Sequence, residues 1–440
     1  MQIENLYQLY LSSTGVTTDT RNIAPGNIFF ALKGERFNAN EFAAQALEAG
    51  ASHAVIDELK NADWQRQFGN RLIMVEDVLT TLQQLAGYHR HLQKCTVLAI
   101  TGSNGKTTTK ELVAAVLSKK YKTYATKGNL NNHIGIPLTL LSIRNDVEFA
   151  VIEMGANHQG EIASYCEYVM PDYGLITNVG LAHIEGFGGF EGVVKGKTEL
   201  YKHLMAFDDF IFMNADNTVL MERMKTLSSS ASGWNPKEKL ITYGTHTSNF
   251  CFGNIAGEGD FLSIETEGLR IQTNLIGSYN FENVLAAVCI GKYFDVPAVE
   301  IKSAIENYVP SNNRSQKVTW NGNTIILDAY NANPSSMQEA LKNFEQLNAA
   351  KKIVVLGEMM ELGEYSAAEH QKIKNLTDAM QLNTRIFTGN GFSFLKNDSS
   401  VLYFENTAQL KEWFCKQPFQ NTCILIKGSR KNELEKLLQE

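Results

Sequence analysis

Residues 95–110 read CTVLAITGSNGKTTTK, and their types and spacing suit the holding of a chain of phosphates. The apolar run Val97-Leu98-Ala99-Ile100 breaks at Thr101-Gly102-Ser103-Asn104-Gly105 and resumes at helical spacing, with Leu112, Val113, Val116 and Leu117 on one face. That order is strand, glycine turn, helix. Gly102 and Gly105 free the backbone to aim N–H groups at an anion, Ser103 and Asn104 lie between them, and the helix N-terminus adds a positive dipole end. Lys106 brings a cation, Thr107 a hydroxyl within reach of a phosphate-bound Mg²⁺, and Thr108 completes the candidate nucleotide-binding set. The commoner form of this loop has glycine where this chain has Ile100. A chance glycine turn is the competing reading, and the flanking strand and helix argue against it.

Other polar groups stand where apolar runs stop. Phe149-Ala150-Val151-Ile152 ends in Glu153, and Tyr173-Gly174-Leu175-Ile176 ends in Thr177-Asn178 with His183 close behind. In open α/β sheets ligands gather outside the carboxyl ends of strands, so both residues are expected near the phosphate loop. Glu153 is the kind of oxygen ligand Mg²⁺ accepts, and His183 could serve the same cluster. A water-facing strand-end charge and a loop imidazole capping a carbonyl are the plainer alternatives. In residues 191–204, EGVVKGKTELYKHL, helical spacing places Lys197 amid Val193, Val194, Leu200 and Tyr201, while Lys195 shares the polar side with Glu191 and Glu199. An ammonium on a core-facing stripe needs a partner, a changed charge, or a route for snorkelling to water.

Further candidates are more loosely specified. Thr18, Asp19, Arg21 and Lys33 border an apolar run at 27–32 and could hold a second phosphorylated ligand; ordinary turn chemistry, including the turn ending at Arg36, explains them as well. Asn40 is expected to cap the helix after it. Asn131 and Asn132 sit in the polar loop 126–133. Asn280 reads as the N-cap of a helix in which Asn283 could offer its amide to a base. Beyond a polar linker at 309–313 comes Arg314, and later strand ends carry Asp328, Asn331, Asn333, Lys427 and Arg430.

Positioning these groups takes more than one core. The chain has 440 residues with 44% hydrophobic, enough for two or three domains. Residues 1–93 read as a small α/β unit, 94–309 as a mostly parallel sheet covered by helices, and 310–440 as a second doubly wound unit ending in a helix. The fold class is therefore α/β. A net charge of −7 with both signs intermixed argues against a nucleic-acid footprint. Six scattered cysteines without a C-x-x-C pair suit free thiols in a reducing compartment. The first residues show no signal-peptide pattern and no 18-residue apolar run occurs, so a cytoplasmic protein without membrane insertion is expected.

TGSNGKTTTK, TKGNLNNHIGIPLTLL, IEMGANHQGEI, NVGLAHIEGFGG, MNADN, GSYNFENVLAA, LDAYNANPSSM, GEMMELGE and IKGSR stand in an order that resembles the Mur ligases. DAYNANPSSM and GEMMELGE resemble in particular the branch that adds a D-alanyl-D-alanine dipeptide. The resemblance spans nearly the whole chain and includes Ile100 in the loop. It implies a UDP-sugar domain, a central P-loop ATPase domain and a C-terminal Rossmann-like domain. It implies transfer of the ATP γ-phosphate to the carboxylate of UDP-N-acetylmuramoyl-tripeptide, and attack on that acyl phosphate by the amino group of D-Ala-D-Ala. In that family the active-site lysine is carbamylated, and its place in the motif falls on Lys197; two Mg²⁺ would then be held with Thr107, Glu153 and His183. Asn280, Asn283, Arg314 and Asp328 would position the nucleotide, with Thr18, Asp19, Arg21, Lys33, Asn131 and Asn132 toward the UDP-peptide. Asn331, Asn333, Lys427 and Arg430 would face the dipeptide. A monomer in peptidoglycan precursor synthesis is expected. Another Mur ligase or a folylpolyglutamate synthase would share the central domain, and a nucleotide switch is the reading from a different class, although no [NT]-K-x-D motif is present.

Overall fold

The computed structural model describes residues 1–35, 37–231, 233–257, 259–310 and 314–439, so Arg36 and the linker residues 311–313 lie outside the described residues. The chain forms two compact units.

The first unit comprises Met1–Ile100, Tyr121–Ala156 and Gly160–Gly174. Its parallel four-stranded sheet runs in the order Val16–Thr17, Ile28–Phe30, His53–Ile56, Leu72–Met74. Phe29, Ala31, Ala43, Ala46, Leu47 and Ile56 bury one face of that sheet. Strand Phe149–Glu153 pairs in parallel with Thr96–Thr101 and Thr123–Ala125, placing Glu153 opposite Ile100. Asn40 does not cap a helix by its side chain. Asn38 does so, accepting from Asn40 N, while the fully buried Asn40 amide donates to Asp57 Oδ1 at 2.8 Å and accepts from Asp57 N at 3.1 Å. A buried amide must satisfy both ends, and the cap position would have satisfied one.

The second unit comprises Thr101–Lys120, Asn157–Gln159 and Leu175–Glu440. Strands Phe210–Asn214, Leu240–Gly244 and Cys251–Ile255 are parallel, as the alternating pattern implies. Ser263–Thr266 and Leu269–Gln272 then add an antiparallel hairpin that the alternation does not foresee. Its two turn residues, Glu267 at φ 48° and Gly268 at φ 80°, are both left-handed, as the tightest hairpin turns require. The last third forms a six-stranded sheet in the order Gln316–Trp320, Asn323–Asp328, Cys423–Lys427, Lys352–Gly357, Thr384–Thr388, Leu402–Phe404, antiparallel only at the first pair. The register sets Asp328 beside Lys427.

Two helical expectations change. Residues 191–204 form two helices, Phe190–Lys197 and Glu199–Ala206, which meet at Thr198, where the hydroxyl bonds back to the Val194 carbonyl at 2.7 Å alongside the backbone N–H at 3.0 Å. In place of a final α-helix come two 3-10 turns, Arg430–Asn432 and Leu434–Leu438, separated by Glu433 at φ 48°, which no α-helix can contain. All six cysteines are free and only Cys415 is exposed. Among the described residues no helix is long and apolar enough to cross a membrane.

Helix Val78–Leu92 is pinned by His89, whose Nε2 donates to the Ile143 carbonyl at 2.9 Å while Nδ1 accepts from the Tyr7 hydroxyl at 3.1 Å. Burial lowers the pKa of this imidazole, outweighing the Ile143 contact that raises it. The folded chain therefore keeps His89 neutral and takes up a proton on unfolding. Its contribution is complete above the unfolded value of about 6.5 and is lost as pH falls toward the lower folded value. Urea midpoints taken at about pH 7.5 and about pH 5.5 should fall more for the native chain than for His89→Gln. Equal falls would remove His89 from the acid response.

Candidate active site

The phosphate loop takes its shape from residues behind it. Gly102 has φ 143°, and a β-carbon there would clash with Thr177 Oγ1 and crowd the Asn178 backbone at 3.1 Å. The Thr177 hydroxyl donates to the Asn104 carbonyl at 2.6 Å, Asn104 N donates to Asn178 Oδ1 at 3.0 Å, and Ser103 N to the Asn178 carbonyl at 2.9 Å. Thr177 and Asn178 thus shape the loop; they were legible only as polar residues at a strand end. Gly105, at φ 77°, lies against the Asn283 amide. Asn283 is buried, with Oδ1 accepting from Thr109 at 3.0 Å and Nδ2 donating to Asn280 at 3.0 Å. Both ends of its amide serve the protein, so its place is beneath the loop helix, Lys106–Leu117. Asn280 makes no side-chain cap and donates instead to the Ile276 carbonyl at 2.8 Å. Lys106 Nζ reaches the carbonyls of Gly102 at 2.7 Å and Ser103 at 3.1 Å, and Thr107 is buried at the first turn. Thr108 follows in that same turn.

Asn333 of the last third reaches this loop, and other candidates of that third find partners within it. Asn333 caps helix Pro334–Gln346 with a bond from Ser336 N at 2.9 Å, and its amide nitrogen donates to Asn104 Oδ1 at 2.7 Å. Leu181 N donates to Ser335 Oγ at 3.0 Å. The Arg314 guanidinium stacks 3.7 Å over the Tyr330 ring, and its buried Nε has no hydrogen-bond partner among the described residues. Asp328 accepts from Lys427 Nζ at 2.5 Å and from Ser315 N at 3.3 Å; Lys427 also reaches the Asn331 carbonyl at 3.3 Å. Arg430 pairs with Glu435.

Lys197 is 1% exposed, as its place on the apolar stripe implies, and Lys195 is exposed. Lys197 Nζ stands 4.9 Å from the centroid of the Phe187 ring, a contact that suits an ammonium. His183, at φ 53°, meets the carboxylate of Glu361 through Nδ1. That contact holds the Glu361 carboxyl below its ordinary range against the opposing effect of burial, with His158 adding a smaller pull.

In the first unit, Glu153 is 1% exposed and its Oε1 accepts from Asn131 Nδ2 at 2.7 Å, so Asn131 supports the glutamate. Asn132 Oδ1 accepts from Gly135 N at 2.8 Å, capping the short helix Gly135–Leu140. Asp19 and Arg21 pair at 2.7 Å, and the guanidinium holds the Asp19 carboxyl at about 2. Lys33 pairs with Asp57 at 2.9 Å, and Thr18 lies between Val16–Thr17 and the turn Thr20–Asn22. Among the described residues no three His, Cys, Asp or Glu side chains form a metal cage. Taken each within its own unit, the Glu153 carboxylate and the Thr107 hydroxyl are oxygen donors of the kind Mg²⁺ accepts beside waters and phosphate oxygens.

The models that match the chain are the Mur ligase family catalytic domain over residues 12–90, the Mur ligase middle domain over 100–291, and the Mur ligase glutamate ligase domain over 313–430. The UDP-N-acetylmuramoyl-tripeptide–D-alanyl-D-alanine ligase of Bacillus subtilis is 32% identical, the match covering 97% of this chain and 92% of that protein. The ligase of the same description from Escherichia coli is 33% identical, over 96% and 92%. A crystal structure of MurF from Acinetobacter baumannii superposes with a TM-score of 0.85 at 28% identity, covering 99% of this chain and 97% of that one. With three models along its length and relatives matched almost end to end, the chain belongs to the Mur ligase family.

Proposed function

We propose that this chain is an ATP-dependent ligase that joins D-alanyl-D-alanine to UDP-N-acetylmuramoyl-tripeptide, completing the cytoplasmic pentapeptide precursor of peptidoglycan. The observation that carries this reading is near full-length similarity to ligases of that description, through the last third as well as the phosphate loop. The working division is 1–93 as the UDP-sugar-binding domain, 94–309 as the central ATP-binding domain and 310–440 as a C-terminal Rossmann-like domain, with the enzyme acting as a monomer.

The loop backbone at 102–105 and Lys106 hold the ATP phosphates, and Lys106 offsets the charge that builds as the γ-phosphoryl group moves to the tripeptide carboxylate. The dipeptide amine then attacks the acyl phosphate, and phosphate leaves as the amide forms. Arg314 and Asp328 orient the nucleotide, Asn283 supports the helix under it, and Asn331, Asn333, Lys427 and Arg430 face the dipeptide. Thr18, Asp19, Arg21 and Lys33 lie toward the UDP-peptide. Two Mg²⁺ held by Thr107, Glu153, His183 and a carbamate formed on Lys197 would neutralise phosphate charge. A carbamate reverses the sign of a buried lysine beside cations, which removes the repulsion a bare ammonium would feel there.

Phosphate release that requires both the UDP-peptide and D-Ala-D-Ala tests the ligase reading; release indifferent to them points to a nucleotide switch. Supplying diaminopimelate and lysine forms of the tripeptide identifies the third residue. Lys106→Ala should cut ligation by roughly a hundredfold or more with the urea midpoint unchanged, and near-normal turnover would refute the phosphate role. Lys197→Ala should abolish most ligation and recover part of it with added short carboxylic acids, whereas Lys195→Ala should be nearly silent. Full activity in Lys197→Arg would rule out the carbamate.

A further inference from the structure

His183 and Glu361 are both non-glycine residues with left-handed backbones, at φ 53° and φ 61°. Such conformations persist only where the surroundings impose them. The Glu361 loop is clamped from several sides. Met359 N donates to His370 Nε2 at 2.9 Å, Met360 N to Ser429 Oγ at 3.1 Å, and Ser429 Oγ donates to the Glu358 carbonyl at 2.7 Å. Gly391 N donates to Glu358 Oε2 at 2.9 Å. On the other side, Leu181 N is tied to Ser335, and Gly363 lies against the Glu185 side chain. Two rigid loops, one after strand Tyr173–Ile176 and one after strand Lys352–Gly357, therefore bring an imidazole and a carboxylate together.

We propose that Glu361 is a positioning residue for His183, setting which ring nitrogen faces the reaction. An ionised carboxylate only accepts hydrogen bonds, so the Nδ1 that Glu361 meets must carry the proton. The Nε2 lone pair is then left for a metal ion, the arrangement by which outer carboxylates orient ligating histidines. Because Glu361 stands on the last third of the chain, His183 acquires this form only when that third is docked on the loop at 178–183. ATP chemistry thereby depends on docking of the part of the chain that brings the second substrate. The catalytic consequence rests on the ligase reading above; the tautomer does not.

Imidazole ¹⁵N spectra of the metal-free and nucleotide-free protein, with His183 assigned by its loss in His183→Asn, should show the Nδ1–H form. In Glu361→Ala, at an unchanged urea midpoint, that preference should disappear. Ligation turnover in Glu361→Ala should fall about tenfold or more while KM for ATP stays within about twofold, and Glu364→Ala, exposed on the same loop, should change neither. An identical tautomer with and without Glu361, a raised ATP KM at constant turnover, or an equal loss in Glu364→Ala would overturn the proposal. A tautomer shift in a protein that ligates nothing would instead count against the ligase reading and leave the His183–Glu361 relation standing.

Discussion

The turn at residues 102–105 can exist only because two of its residues lack side chains and Thr177, Asn178 and Asn283 fill the space those side chains would need. The loop's own Ser103 hydroxyl donates to the Gly180 carbonyl at 3.2 Å and accepts from Gly180 N at 2.9 Å, which ties the turn to the same neighbouring segment. The turn's shape comes from hydrogen bonds supplied by a neighbouring strand end and by a helix more than 170 residues later in the chain, Thr109 meeting Asn283 across a separation of 174. The loop is thereby organised by the protein's own groups, and preorganised dipoles stabilise developing charge without reorganising at the moment of reaction.

Further contacts extend from the same loop. Asn104 presents its backbone to Asn178 and its side chain to Asn333, the cap of helix Pro334–Gln346. One residue thus reports to both the phosphate turn and the last third. The Asp328–Lys427 pair is buried on the lysine side, where a lone ammonium would be expensive, and parallel pairing of their strands supplies the partner. Lys197 is likewise buried, and the Phe187 ring is among the groups near its Nζ. Buried cations held in place by neighbours can be spent on function, because the scaffold already carries the desolvation.

Local physics was legible along the chain. Glycine spacing, a strand before it and a helical stripe after it specified the phosphate turn, and helical periodicity alone placed Lys197 inside and Lys195 outside. Strand ends bearing Glu153, Asp328 and Lys427 also read correctly, since apolar runs and their stops are properties of neighbouring residues. Cap assignments for Asn40 and Asn280 failed because a buried amide goes to whichever partners satisfy both its ends, and those lay outside the local sequence. The helix boundary falls at Thr198, whose hydroxyl returns to its own backbone, a detail that periodicity does not register.

Partnership was the part that only tertiary structure decided. Hydrogen bonds act over about 3 Å, so whether Asn283 serves a base or the loop helix, whether Asn131 serves a ligand or Glu153, and whether His183 stands alone or against Glu361 depend on strand register and loop docking. Those are set by packing across hundreds of residues. By itself the sequence determined which groups could do chemistry and on which elements they ride; the fold determined which of them meet, because meeting is a matter of ångströms that no spacing along the chain encodes.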